Sequence, residues 1–198
     1  MPDPRSHAAG PAARARAAAE VLGAEAFANW CSEVLSGVIG FEELAATQDP
    51  DPRWLADGAW DSWGPATTWP ERGLAYWPRV WAARSLLHQW HPVAEPAILH
   101  GLTDDHWRVR EMCAKVAAAH ALSSAADACA QLAAHDGSAR VRIAALRAIG
   151  AVGEGEHAPA LIAGREDQDP TVADAAASAL LGLAERLDRP VASLLGEE

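Results

Sequence analysis

Along most of this chain apolar and small residues recur at i, i+3, i+4, i+7 and i+8, the period of a helix buried on one face. An early clear stretch is Phe27, Trp30, Cys31, Val34, Leu35 and Val38, with Gly37 and Gly40 placed to end it. Helical patterning starts at Pro11, the residues before it read as a frayed tail, and residues 41–44 offer one more turn. Residues 47–69 lose the period. There Asp49-Pro50-Asp51-Pro52, Gly58 and Gly64-Pro65 break the chain, and Trp54, Trp60, Trp63 and Trp69 sit among them. A loop this apolar is expected to pack against the first helices or against a partner.

Beyond Pro70 the helices return in pairs. Three aspartates (Asp104, Asp136, Asp167) each stand five residues before a valine that opens an alanine-rich helix, and those valines (Val109, Val141, Val172) are 32 and 31 residues apart. A period of that length marks stacked helical hairpins. Second helices are expected near 78–90, 107–120, 138–150 and 170–186, the first of them divergent, with first helices near 93–102, 124–134 and 157–165. Residues 190–195 read as a closing turn. Small residues after each valine, such as Ala144, Ala145 and Ala148 or Ala175, Ala176 and Ala179, let neighbouring hairpins approach closely. The chain thus divides into an N-terminal helical segment with a Trp/Pro-rich loop (1–69) and a repeat array (70–198).

Asp136 to Gly153, in which Arg140-Val141-Arg142 opens an alanine-rich helix ending in glycine, resembles the HEAT repeats, in the short form of many bacterial proteins and of the phycobilisome-lyase-like group. The resemblance covers about residues 70–187. It implies an all-α, right-handed α-solenoid of HEAT-like hairpins with an N-terminal helical cap. It also implies a structural ladder in which turn aspartates pair with the arginine after each valine: Asp104, Arg110, Asp136, Arg142 and Asp167. Ala173 stands where the third arginine belongs, so the ladder ends there, or Asp167 caps its helix alone. HEAT arrays serve as scaffolds, adaptors, lyases and lesion-binding enzymes, so the resemblance does not choose a function.

Composition narrows the field. Half of the 198 residues are apolar, no run approaches a membrane span, and residues 1–10 hold no apolar leader, which together point to a cytoplasmic protein. Only one of sixteen basic residues (Lys115) is lysine, which with the abundant alanine suggests a GC-rich bacterial gene. Three cysteines (Cys31, Cys113, Cys129), odd in number and in helical patterns, read as buried thiols. The net charge of −11 is uneven: −6 over residues 1–70, +2 over 71–147 and −7 over 148–198. A weakly basic middle between acidic ends accepts an anionic surface only locally.

Nine tryptophans are several times ordinary usage, and Trp77 and Trp107 each lie just before the valine of a second helix, accompanied by Arg79 and Arg108. Aromatic and arginine side chains together suit protein recognition, and also bases. Arg108, Glu111 and Lys115 share one helix face, and Arg140, Ile143 and Arg147 are the equivalent positions one rung on. The expected function is non-catalytic protein binding by a scaffold or adaptor, through Trp77, Arg79, Trp107, Arg108, Glu111, Lys115, Arg140 and Arg147. A homodimer through the Trp-rich segment is a further expectation.

The alternative is DNA-lesion binding or an alkylpurine glycosylase, because DNA-alkylation-repair glycosylases are built of HEAT-like repeats and hold DNA with tryptophans and an aspartate. Trp107 with Asp104 or Asp105, and Trp77 with Arg79, would be the counterparts. The shortage of Lys and Arg weighs against nucleic acid. His88 and His91, with His100 and His106 downstream, make no ligand pattern with cysteine or carboxylate, so no metal or cofactor is expected. The absence of phosphate-loop, nucleophile-elbow and zinc-protease motifs argues against conventional catalysis.

Overall fold

The computed structural model describes residues 10–46, 50–56 and 62–195; the expected tail, Asp49, Gly58 and Trp60 lie outside the described residues. Within these residues every regular element is an α-helix or a 3-10 turn, so the all-α class read from the helical period is the class of the fold. The chain divides into two compact units, Met1–Gly101 and Leu102–Glu198, and the 69/70 division expected from the helical pattern falls inside the first.

The first unit holds α1 (Pro11–Leu22), α2 (Ala24–Leu35), α3 (Phe41–Ala46), α4 (Trp77–His88) and α5 (Glu95–Gly101). Gly23, at φ +90°, joins α1 to α2 in a conformation that a side chain would resist. The helices α1, α2 and α4 pack on one another, and α2 buries Phe27, Trp30, Cys31, Val34 and Leu35. The helix stops at Leu35, so Val38 leaves the predicted stripe and is 71% exposed.

Residues 62–81 gather four tryptophans. The Trp63 ring lies 5.5 Å from Trp69, 5.4 Å from Trp77 and 5.8 Å from Trp81, centroid to centroid. Trp69 and Trp81 are fully buried, and edge-to-face contacts of this kind add to the area they remove from water. Arg72 donates to the Trp63 carbonyl and Trp69 Nε1 to the Gly64 carbonyl at 3.4 Å, which satisfies polar groups at the cluster's edge. Among the described residues of this stretch, Trp54, Leu55 and Trp69 are buried and Trp63 is half-buried.

The second unit holds α6 (Trp107–Ala119), α7 (Ala126–His135), α8 (Ala139–Val152), α9 (Ala158–Gly164), α10 (Pro170–Arg186) and α11 (Val191–Leu195). The second helices α6, α8 and α10 pack in series, the first helices α7 and α9 touch, and each first helix packs on its own second helix. That two-layer arrangement is an α-solenoid. The three valines of the period are its centre, each fully buried. Small residues set the spacing: a Cβ at Gly150 would lie 3.0 Å from the Cα and carbonyl oxygen of Ala179, so α8 and α10 meet there backbone to backbone. The thiols of Cys31, Cys113 and Cys129 are buried, and burial pushes all three up, Cys129 to about 12, which leaves them poor nucleophiles.

Candidate functional site

Each turn aspartate accepts a local backbone N–H, and Asp136 and Asp167 also accept from the arginine of the rung before. Asp104, Asp136 and Asp167 accept from the backbone N–H two residues on (His106, Ser138, Asp169) at 2.8, 2.8 and 2.9 Å. Those three residues are the N-caps of α6, α8 and α10. Arg110 then donates through Nε to Asp136 of the next turn (2.6 Å) and through Nη1 to the Asp104 carbonyl of its own turn (2.7 Å). Arg142 repeats the pattern, with two bonds to Asp167 (2.7 and 2.9 Å) and one to the Asp136 carbonyl (3.0 Å). Asp167 therefore does not cap its helix alone. Asp169 is the cap, accepting from Thr171 N–H at 2.9 Å, and Asp167 is the last acceptor of a ladder that Ala173 cannot continue.

The hydrogen bonds from Arg142, followed by the backbone N–H of Asp169, hold the Asp167 carboxyl below its ordinary 3.8. A carboxyl with a folded pKa below its unfolded value stabilises the fold above the unfolded value and loses that contribution as the pH falls through the folded one. Acid unfolding should therefore steepen below about pH 3.8. In Arg142→Met, which removes the first cause, the profile in that window is expected to flatten; an unchanged profile would contradict the assignment.

The second site lies on the second helices. Glu111, Lys115, Ala118 and Ala119 of α6 and Arg140, Ile143, Ala144 and Arg147 of α8 line a groove of about 550 Å³. Four of the eight predicted binding residues are thus in one place. Glu111 is 6% exposed yet charged, and it is held by Lys115 Nζ at 2.7 Å and by Arg140 Nε and Nη2 at 3.2 and 3.1 Å. The cations are the more exposed partners, so each bond adds little net stability, but together they compensate a buried carboxylate. Arg147 is exposed and makes no hydrogen bond or ion pair among the described residues.

Trp107 stands at the start of α6, half-buried. The Arg108 guanidinium lies 4.5 Å and that of Arg140 5.4 Å from its ring centroid, and His106 stacks on it at 6.0 Å. Trp77 and Arg79 belong to the first unit, where Trp77 is a member of the tryptophan cluster and Arg79 is half-buried.

Residues 95–181 match the family model of the HEAT repeats. No curated protein and no solved structure gives a match. The matched stretch runs from α5 through most of α10 and contains both the ladder and the groove.

Sequence reasoning missed Ala118 and Ala119, which lie one turn after Lys115 and form the groove's apolar wall; their spacing from Lys115 was the available signal. It also missed a second concavity of about 620 Å³ at the turns, lined by Leu102, Thr103, Gln131, Leu132 and His135 with the ladder residues Asp104, Arg110 and Asp136. Two of the four histidines between residues 88 and 106, His91 and His106, have structural uses. They accept from the N–H two residues on, both at 3.3 Å. Among the described residues no cluster of His, Cys, Asp or Glu could hold a metal ion.

Proposed function

We propose that this protein is a non-catalytic scaffold of the bacterial cytoplasm that binds another protein on the second-helix face of its HEAT segment. The observation that carries the reading is the groove between α6 and α8: charged rims, an alanine and isoleucine floor, and Arg147 with no partner among the described residues. An apolar floor with polar rims is the arrangement of a protein-binding hot spot. The short, phycobilisome-lyase-like form of the repeat rests on residues 136–153, and none of the described helices is long and apolar enough to cross a membrane.

Trp107 and its two arginines favour the lesion-binding alternative to a degree, but His106, Arg108 and Arg140 already lie against that ring, where a base would have to stack. A buried carboxylate in the groove also opposes a phosphate backbone.

The test is recovery of the native partner from the host, followed by Ile143→Asp and by Arg147→Glu, with the fold of each variant checked by circular dichroism. Ile143→Asp is expected to cost about 2 kcal/mol of binding. A partner that stays bound to both variants would place binding elsewhere. Salt-sensitive, lesion-selective binding of duplex DNA would replace the scaffold reading altogether.

A further inference from the structure

The groove carries three cations (Lys115, Arg140, Arg147) against one carboxylate (Glu111), a local +2 on a chain of net charge −11. Resting on the protein-binding reading above, we infer that the partner lays an acidic amphipathic helix along this groove, with carboxylates two turns apart and a leucine-sized residue between them.

The spacing comes from α8. Arg140 and Arg147 are seven residues apart, which is about 10.5 Å along a helix axis. Ile143 and Ala144 lie between them, and Ala118 and Ala119 face them from α6. A partner helix lying along the groove meets cation, apolar floor and cation in that order, and matches them with acid, apolar side chain and acid at the same rise per residue. The volume of about 550 Å³ admits a few side chains rather than a folded surface, which suits helix-in-groove recognition. Arg147 supplies the strongest new ion pair, because it gives up no existing one among the described residues on binding.

Glu111 sets the polarity of the site. Its Oε1 takes the bonds from Lys115 and Arg140, and Oε2 has no hydrogen bond among the described residues. That oxygen accepts a donor from a peptide, such as a serine hydroxyl, and repels an unbroken line of phosphates. The same carboxylate that tethers two cations therefore discriminates between an acidic helix and a nucleic acid, both of which are anionic.

The probe is a fluorescein-labelled synthetic helix in an alanine and glutamine host, with two glutamates seven residues apart and a leucine between them. A second peptide replaces both glutamates by lysine. Anisotropy with the full chain is expected to show binding that weakens with salt, and the lysine peptide about tenfold weaker or worse. Arg147→Glu should invert that preference, and Ile143→Ser should weaken the glutamate peptide without inverting it. Equal binding of the two peptides, or no binding of either, overturns the acidic-helix assignment.

If Ile143→Ser nevertheless weakens both peptides alike, the groove survives as a binding site and only its charge preference falls. If neither variant changes the binding of a peptide that does bind, the groove reading itself fails. Binding of a labelled single-stranded DNA oligonucleotide by the wild type more tightly than the glutamate peptide, and its loss in Arg147→Glu, would assign the groove to nucleic acid and overturn the inference.

Discussion

Replacing Asp136 with alanine is expected to destabilise the second unit by about 3 kcal/mol, the value for removing one partner of a buried charged pair. Its side chain is 2% exposed, and it holds both the Arg110 guanidinium at 2.6 Å and the N–H of Ser138 at 2.8 Å. Alanine strips an arginine that is 18% exposed of its counter-charge and leaves the α8 N-cap residue's N–H without an acceptor. Asp136→Asn keeps an oxygen for Ser138 but loses the charge and, because its amide nitrogen cannot accept, the bond from Arg110 Nε; it should cost less than alanine by the retained Ser138 bond. Asp167→Ala should also cost less, because the Asp167 side chain is 15% exposed and water replaces part of what is lost. Urea unfolding of the three variants gives the order directly. Equal losses at Asp136 and Asp167 would mean that the ladder's burial does not govern its strength.

Leu146→Ala is expected to cost a similar amount, about 3 kcal/mol, by a different route. Leu146 is fully buried in α8, and its Cδ2 lies 2.9 Å from where a Cβ would stand on Gly164, at the end of α9. The leucine fills the space left by the missing side chain, so its truncation opens a cavity between a first and a second helix. Gly164→Ala alone should destabilise, because the new methyl also meets Ala176 Cβ at 3.0 Å. Combined with Leu146→Ala, the same substitution loses its worst clash and partly refills the hole. The double variant should then be more stable than the two single losses imply, by about 1 kcal/mol. Strict additivity would show that the two positions do not share a packing site.

The helices of the array were legible because a valine every 31 or 32 residues is a long-range signal, and each of these valines is now a fully buried centre. Which residue caps each helix was less legible. Asp167 and Asp169 are both good caps by type, and only the backbone geometry separates the cap from the ladder acceptor. The groove was half legible. Shared helix faces placed Glu111 with Lys115, and Arg140 with Arg147, but the Arg140–Glu111 bond joins positions 29 apart and depends on how α6 and α8 are staggered. No pattern along a single helix records that stagger. The Trp-rich segment was the least legible, because a loop without a period says that its rings are buried and not which rings meet.

The ladder has a direction. Every arginine binds backward to the backbone of its own turn and forward to the carboxylate of the next, so the stretch from Asp136 to Glu166 holds one receiving group and one sending group in 31 residues. A tandem copy of that stretch would present an aspartate to the original Arg142, while its own arginine would reach Asp167. The segment is thus a self-compatible module, and the array can be lengthened at that point without designing a new joint. The rung that begins at Asp167 cannot be copied in this way: with Ala173 in place of an arginine, it accepts a neighbour's arginine and has none to extend.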